Sequence, residues 1–291
     1  MKGELETIEA LRLLATNSAA RGLRDDAAVL EVGGVHIVVT HDMLVEGVHF
    51  LPDADPADVA WKLVAVNLSD LAAKGAEPLG VLLGFMLGEN DERFIEGLDE
   101  VLAHYGVDLI GGDTVSGGPP RAYGLTAIGR ATHRPVPSRA LARPGDAIYV
   151  TGPLGAAMMG FEVAKLGTTE ESTVYRRPLA RLAEGQALAP HVTAMMDISD
   201  GLLLDAARIG RASGVTMTLD STLVPLAAPN SRLKDALRWG EDYELLLTAP
   251  SHVDLPAHVT RIGTVEESAG KPVRLDDRLL AEKDGLGYQH R

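Results

Sequence analysis

The stretch MMDISDGLLLD, Met195 to Asp205, sets three aspartates in or beside an otherwise apolar run. A carboxylate in such surroundings is costly unless it is hydrogen-bonded, paired or bound to a metal. The stretch has no Lys or Arg of its own. Something outside the stretch must be its counterion.

Composition narrows the choice. The 291 residues carry 27 Lys and Arg against 41 Asp and Glu, a formal net charge of −14, which argues against a nucleic-acid-binding surface. There is no cysteine, so disulfides, thiolate catalysis and cysteine-built zinc sites drop out together, leaving oxygen and His as ligands. The N-terminal MKGELETIEALRLLA lacks the apolar core of a signal peptide, and LGVLLGFMLG (79–88) is too short to span a bilayer. The expectation is a soluble, cytoplasmic protein with no membrane partner. A hydrophobic content of 46% at this length supports two ordinary domains.

AAVLEV and VHIVVTHD flank Gly33-Gly34 and predict a β-hairpin. A helix follows, with Asp55 as cap, Pro56 in its first turn and Lys74-Gly75 as its stop. Next come a strand in GVLLGFML, a helix in DERFIEGLDEVLAHYG, and strands in VDLIGGD and AYGLTAIGRA. The Pro- and Arg-rich RATHRPVPSRALARPGD suggests a boundary, giving domains 1–137 and 138–291. Beyond it the pattern predicts strands in DAIYVTG, TAMMDIS, VTMTLD, YELLLT and VTRIGTV, with helices in AAMMGFEVAKLG, RRPLARLAEGQALA and GLLLDAARIGRASG. The fold class is α/β with mixed sheets.

The carboxylates gather at strand ends and turns: Asp25 and Asp26 before a strand, Asp42 closing the next, Asp113 in a glycine-rich turn, Asp197 and Asp200 between strand and helix. Strand ends are the usual place for ligands in α/β architectures, although any one such Asp is explained as well by turn chemistry. Asp70 has an i,i+4 partner in Lys74 that would account for it without a ligand. The turn through Ser199 directs backbone N–H groups and carboxylates to one place and can serve phosphate and Mg²⁺. No P-loop, G-x-G-x-x-G after a strand or H-E-x-x-H is present.

The blocks DDAAVL, HDMLVEGVHF, NLSDLAAKGAEP, LIGGDTVSGG, RPGDAIYVTGPLG, MDISDGLLLD, GEDYELLLT and GYQH, in this order, resemble the thiamine-monophosphate kinases of the aminoimidazole ribonucleotide synthetase-like superfamily. The resemblance implies a two-domain fold with the active site in the cleft, ATP-dependent phosphorylation of thiamine monophosphate, and a homodimer paired through the N-terminal domains. It implies several Mg²⁺ ions on Asp26, Thr40, Asp42, Asp70, Asp113, Asp197 and Asp200. ATP would meet Tyr105, Gly112, Asp113, Arg139 and Ser199, and thiamine monophosphate would meet His49, Glu241 and Tyr288. Read alone, Arg139 is a solvated linker charge, and His49 reads as well as a polar strand-end residue. The chain departs from the family pattern at Arg24, at His41 and at Arg238-Trp239. A paralogous ATP-dependent synthetase and a silent Mg-nucleotide-binding protein share much of the motif set.

Metal would answer the opening problem. Two phosphate groups brought together repel, by roughly 4 kcal/mol per unit-charge pair at 4 Å and an effective dielectric of 20, and cations held by aspartates reverse that sign. The acceptor is itself an ionised phosphate oxygen, so no general base is assigned.

Overall fold

The computed structural model describes residues 4–167 and 170–290. After helix α1 (Glu4–Arg12) and a 3-10 turn come β1 (Ala28–Val32), β2 (Val35–Val45), α2 (Pro56–Ala73), β3 (Ala76–Leu87), α3 (Asp91–Tyr105), β4 (Leu109–Ser116) and β5 (Ala122–Ala131). The strands form one sheet in the order β1-β2-β5-β3-β4, antiparallel except for the β3–β4 pair. The predicted hairpin forms, with Val32 opposite Val35 across two glycines of positive φ. The predicted helix forms too: the Asp55 side chain accepts from the Ala57 N–H at 3.0 Å, Pro56 sits in the first turn, and Gly75 leaves the helix at φ +57°.

Every residue of α2 after Pro56 is buried. A helix covered all round lies between layers rather than on a surface. On one side α2 packs on β2, β5 and α3; on the other it meets α6 (Leu182–Leu188) and β7 (Ala194–Asp197) of the second half.

That second half holds β6 (Asp146–Val150), α4 (Ala156–Ala164), the single turn α5 (Thr173–Arg176), then α6, β7, α7 (Leu202–Ser213) and β8 (Thr216–Leu219). It ends with α8 (Leu233–Trp239), β9 (Leu245–Pro250), β10 (Thr260–Glu266), β11 (Val273–Leu275) and β12 (Arg278–Leu280). Its seven strands run β12-β11-β8-β10-β6-β9-β7, with only β8–β11 parallel. The single helix expected over RRPLARLAEGQALA is interrupted. Pro178 falls between α5 and α6, and its carbonyl accepts from Trp61 Nε1 at 2.9 Å, which fixes the segment against α2.

One core lies between the first sheet and α2–α3, around Leu63, Leu68, Phe85, Phe94 and Leu125; another surrounds α7, with Leu203, Ile209, Leu246 and Ile262. A seam of Ala72, Ala73, Leu188, Met195 and Leu247 joins the halves. The other face of the first sheet is open: all of β4 is exposed, and Met43, Ile110 and Val115 are each more than half exposed. No described helix is long and apolar enough to cross a membrane.

Candidate active site

Thr40 and Asp42 alternate along β2 and both face α2, whereas His41 faces the opposite side and bonds Thr126 Oγ1 at 2.9 Å. From α2, Asn67 Oδ1 accepts the Asp42 backbone N–H at 3.0 Å, Asp70 accepts from the Thr40 hydroxyl, and Ser69 Oγ donates to Asp197 Oδ2 at 2.6 Å. Asp197 closes β7, and Asp26 arrives from the segment before β1. Carboxylate oxygens of Asp26, Asp70 and Asp197 all lie within 4.8 Å of one another. His41, the departure next to Asp42, stays outside this group.

Burial and mutual repulsion decide the charge state. Asp70 is pushed well above the usual carboxylate range by burial and by Asp42, Asp197 and Asp26. Burial, then Asp26, pushes Asp197 up to about 7, and the same causes push Asp42 up to about 6. Lys74 does not form the i,i+4 pair with Asp70. Its buried ammonium goes to Asp25 and, at 2.6 Å, to Asp26 Oδ2. Burial opposes the ionisation of Asp25, but Lys74 and Arg21 outweigh it and hold the carboxyl below the usual range. Arg139 is no solvated linker charge: it is paired with Asp26, and its Nε is buried without a hydrogen-bond partner among the described residues. A set of hard carboxylate and hydroxyl oxygens, short of cations at its centre, fits Mg²⁺.

The turn after β7 works differently from its expected form. The backbone N–H groups of Ser199 and Asp200 both donate to Asp205 Oδ2 at 3.1 Å, so Asp205 caps its own helix from inside and those donors are taken. Arg208 bridges Asp200 at 2.5 Å and Asp205 at 2.6 Å. A cavity of about 610 Å³ opens here. Asp26, Asp42, Asp70, Asp197, Ser199, Asp200 and Arg139 line it, with Arg12, Arg24, Arg208 and Arg211 around them. A larger hollow of about 840 Å³ beneath Phe50, Arg93 and Tyr123 holds no residue of the expected site.

His49, Glu241 and Tyr288 form a second group. His49 Nδ1 accepts the Val45 N–H at 3.0 Å; burial, then His290 and Lys62, push the ring down to about 4, so it is neutral near pH 7. The His290 ring lies 5.4 Å from His49 and 5.0 Å from Tyr288. Tyr288 is not a fraying end, because its N–H donates to Asp200 O at 3.0 Å. Gly240 has φ +87°, and a Cβ there would run into the Ser199 carbonyl. Arg238 and Trp239, where the family pattern differs, close α8 in helical geometry and need no glycine. The left-handed positions are instead Gly240, Glu241 and Tyr243, a concentration of strained backbone typical of ligand-facing loops.

Three expected residues stay apart. Asp113 lies inside β4, not in a turn, and pairs with Gly84. Because Phe85 and Val81 face the core, Gly84 and Asp113 face the open side of the sheet. Gly112 passes against the backbone of Leu83. The Tyr105 hydroxyl accepts the Ala180 N–H at 2.8 Å, and its ring packs near Trp61. Sequence reasoning missed Ser69, Lys62, Arg208 and His290. Only the polar residues interrupting the apolar α2 gave a signal.

Residues 24–131 match the family described as AIR synthase related protein, N-terminal domain, and residues 143–274 its C-terminal counterpart, so fold and site define a protein of the AIR synthase related class. Thiamine-monophosphate kinase of Salmonella typhimurium is 38% identical over 290 residues, covering 92% of this chain and 86% of that one. The Methanopyrus kandleri kinase is 34% identical, covering 89% and 87%. A solved structure of AaThiL complexed with AMPPCP and TMP has a TM-score of 0.87 at 30% identity, covering 99% of this chain and 97% of that one. The chain belongs to the thiamine-monophosphate kinase family, as its motifs led us to expect, and the two-domain α/β fold is borne out with it.

Proposed function

We propose that this protein transfers the γ-phosphoryl group of ATP to thiamine monophosphate. A terminal phosphate oxygen of the acceptor bonds to the γ-phosphorus as the bond to the ADP oxygen breaks, giving thiamine diphosphate and ADP. The observation that carries this reading is the convergence of Asp26, Asp42, Asp70 and Asp197 beside Arg139 in one cavity, in a chain of this family. Asp26, Thr40, Asp42, Asp70, Asp113, Asp197 and Asp200 would hold several Mg²⁺ ions, which supply charge neutralisation and alignment of the two phosphates. Arg139, with its free buried Nε, would bind nucleotide phosphate, with Ser199, Gly112 and Tyr105 as further nucleotide contacts. His49, Glu241 and Tyr288 would seat thiamine monophosphate. Transfer is direct and in line, and no residue serves as nucleophile or general base. We place the reaction in the cytoplasm, where ATP and Mg²⁺ are supplied, and the division between the halves at 137/138.

A homodimer accounts for the residues that one chain leaves out. The exposed apolar face of the first sheet, with Met43, Ile110 and Val115, suits a second copy, and Gly112 and Asp113 on that side would then serve the partner's cavity. Incubation with Mg-ATP and thiamine monophosphate, followed by chromatography, should show ADP and thiamine diphosphate in equal amounts. ADP without thiamine diphosphate would point to a synthetase of the same class, and no ADP to a silent nucleotide-binding protein; either sinks the proposal.

A further inference from the structure

Lys62 is 2% exposed, in the middle of α2. An ammonium is rarely buried to that degree without partners, and those it has are specific. Its Nζ donates to Glu241 Oε1 at 2.6 Å and to the His49 carbonyl at 2.9 Å, and lies 4.0 Å from the centre of the Tyr175 ring. Two of the three belong to residues expected to touch thiamine monophosphate, one from each half of the molecule.

We propose that Lys62 is a positioning residue for the acceptor site: it fixes the carboxylate of Glu241 and ties the loop carrying His49 to the loop carrying Glu241. The inference rests on the assignment of this group to thiamine monophosphate. Glu241 needs such a hold. Its backbone is left-handed at φ +56°, its side chain is 23% exposed, and its other anchor is the backbone bond from its N–H to Ser199 O at 2.8 Å. With Oε1 engaged by Lys62, Oε2 has no hydrogen-bond partner among the described residues. That oxygen is left for a donor or cationic group of the ligand, and thiamine offers both an amino group and a thiazolium. Lys62 stands behind the carboxylate and sets where it sits without touching the ligand.

The test is calorimetric binding of thiamine monophosphate and, separately, of AMPPCP with Mg²⁺, to wild type, Lys62→Met, Glu241→Gln and the double variant, with melting temperatures alongside. Losing a charge-assisted hydrogen bond corresponds to about 10- to 100-fold in affinity. Lys62→Met should weaken thiamine monophosphate binding by that factor and leave AMPPCP within about 2-fold. In the Glu241→Gln background it should add less than about 3-fold, because residues acting as one unit are non-additive. Lys62→Arg, which keeps the charge, should recover part of the loss and stands in for the Met variant if that fails to fold. Equal weakening of both ligands, or a penalty that adds in full to Glu241→Gln, would make Lys62 a plain structural ion pair and overturn the inference. Normal binding by the Lys62 variants overturns it while leaving the proposed function standing; no binding of thiamine monophosphate by wild type overturns both.

Discussion

The two ends of the active-site region solve opposite electrostatic problems. At the aspartate end, carboxylates face one another and three of them are driven upward in pKa, with Lys74 and Arg139 reaching only the Asp25–Asp26 side. At the other end charge is already balanced: Lys62 meets Glu241, and His49 is neutral. An unbalanced cluster costs stability unless a cation arrives, so it suits the proposed Mg²⁺; a balanced one can receive a ligand carrying both signs. The same helix, α2, supplies Asp70 to one end and Lys62 to the other, two turns apart.

Breaking the aspartate end should have the largest effect. Asp197→Asn and Asp42→Asn each should lower kcat by about 10²- to 10⁴-fold, since several kcal/mol of transition-state charge stabilisation pass through such ligands. Without Mg²⁺ both variants should melt at or above the wild-type temperature, because repulsion is relieved. Near-normal turnover at limiting Mg²⁺ would remove these residues from the site.

The open face supplies the next test. Asp113→Asn and Asp197→Asn homodimers should each be nearly inactive. If Asp113 serves the partner's cavity, a mixed dimer keeps one intact site, so random exchange restores about one quarter of wild-type activity. An absence of recovery after verified exchange would return Asp113 to its own chain or remove it from the reaction.

Acid titration sharpens the comparison further, since the aspartates of the first end and His49 of the second have opposite signs over one pH window. Asp42 and Asp197 sit above their unfolded value of 3.8, at about 6 and about 7, so the fold favours their protonated forms. Their contribution is greatest below pH 4 and is lost as pH rises to 7. His49, lowered from 6.5 to about 4, gives the reverse, a contribution lost as pH falls from 6.5 to 4. With several carboxylates against one imidazole, metal-free protein should lose stability between about pH 4.5 and 7.5. The loss should be on the order of 3 kcal/mol, a tenfold change in proton affinity being worth about 1.4 kcal/mol. Asp197→Asn should flatten that slope, His49→Asn should steepen it, and Mg²⁺, by holding the cluster's aspartates ionised, should reduce or reverse it. A melting temperature that rises across this window in metal-free wild type would refute the account.

What the sequence disclosed, and what it hid, follows from range. The cap at Asp55, the glycine hairpin and the strand-end places of Asp26 and Asp197 are local signals, and each survives in the structure, whereas Asp42, expected to close its strand, lies inside β2, which runs on to Val45. The partner of Lys74 is 49 residues away at Asp25, so the nearby Asp70 offered a plausible but wrong match. Asp205 read as one more carboxylate of the cluster's stretch, yet it closes backbone donors only a few residues back, a role set by how the turn folds. The break at Pro178 is stabilised by an indole 117 residues earlier. Asp113 looked like a turn residue because of its glycines, although those glycines belong to an edge strand. β11 and β12, at three residues each, are too short to show a period.

The smallest expected effect lies at the C-terminal side of the proposed acceptor site. The backbone of Tyr288 is fixed to Asp200, while its side chain stays 43% exposed and edge-on to His290. An aromatic ring held but not covered is suited to packing against a flat heterocycle, and a cationic thiazolium adds a cation–π contact of roughly 0.5 to 2 kcal/mol. Tyr288→Ala should raise KM for thiamine monophosphate by about 3- to 30-fold at ~1.4 kcal/mol per factor of ten. KM for ATP should barely move, because the balanced end is separate from the aspartate cluster to which the nucleotide is proposed to bind. Steady-state kinetics with each substrate varied in turn provide the check. Equal changes in both constants would mean that Tyr288 supports the Asp200 turn and so belongs to the metal end; no change in either would mean that its ring serves neither end.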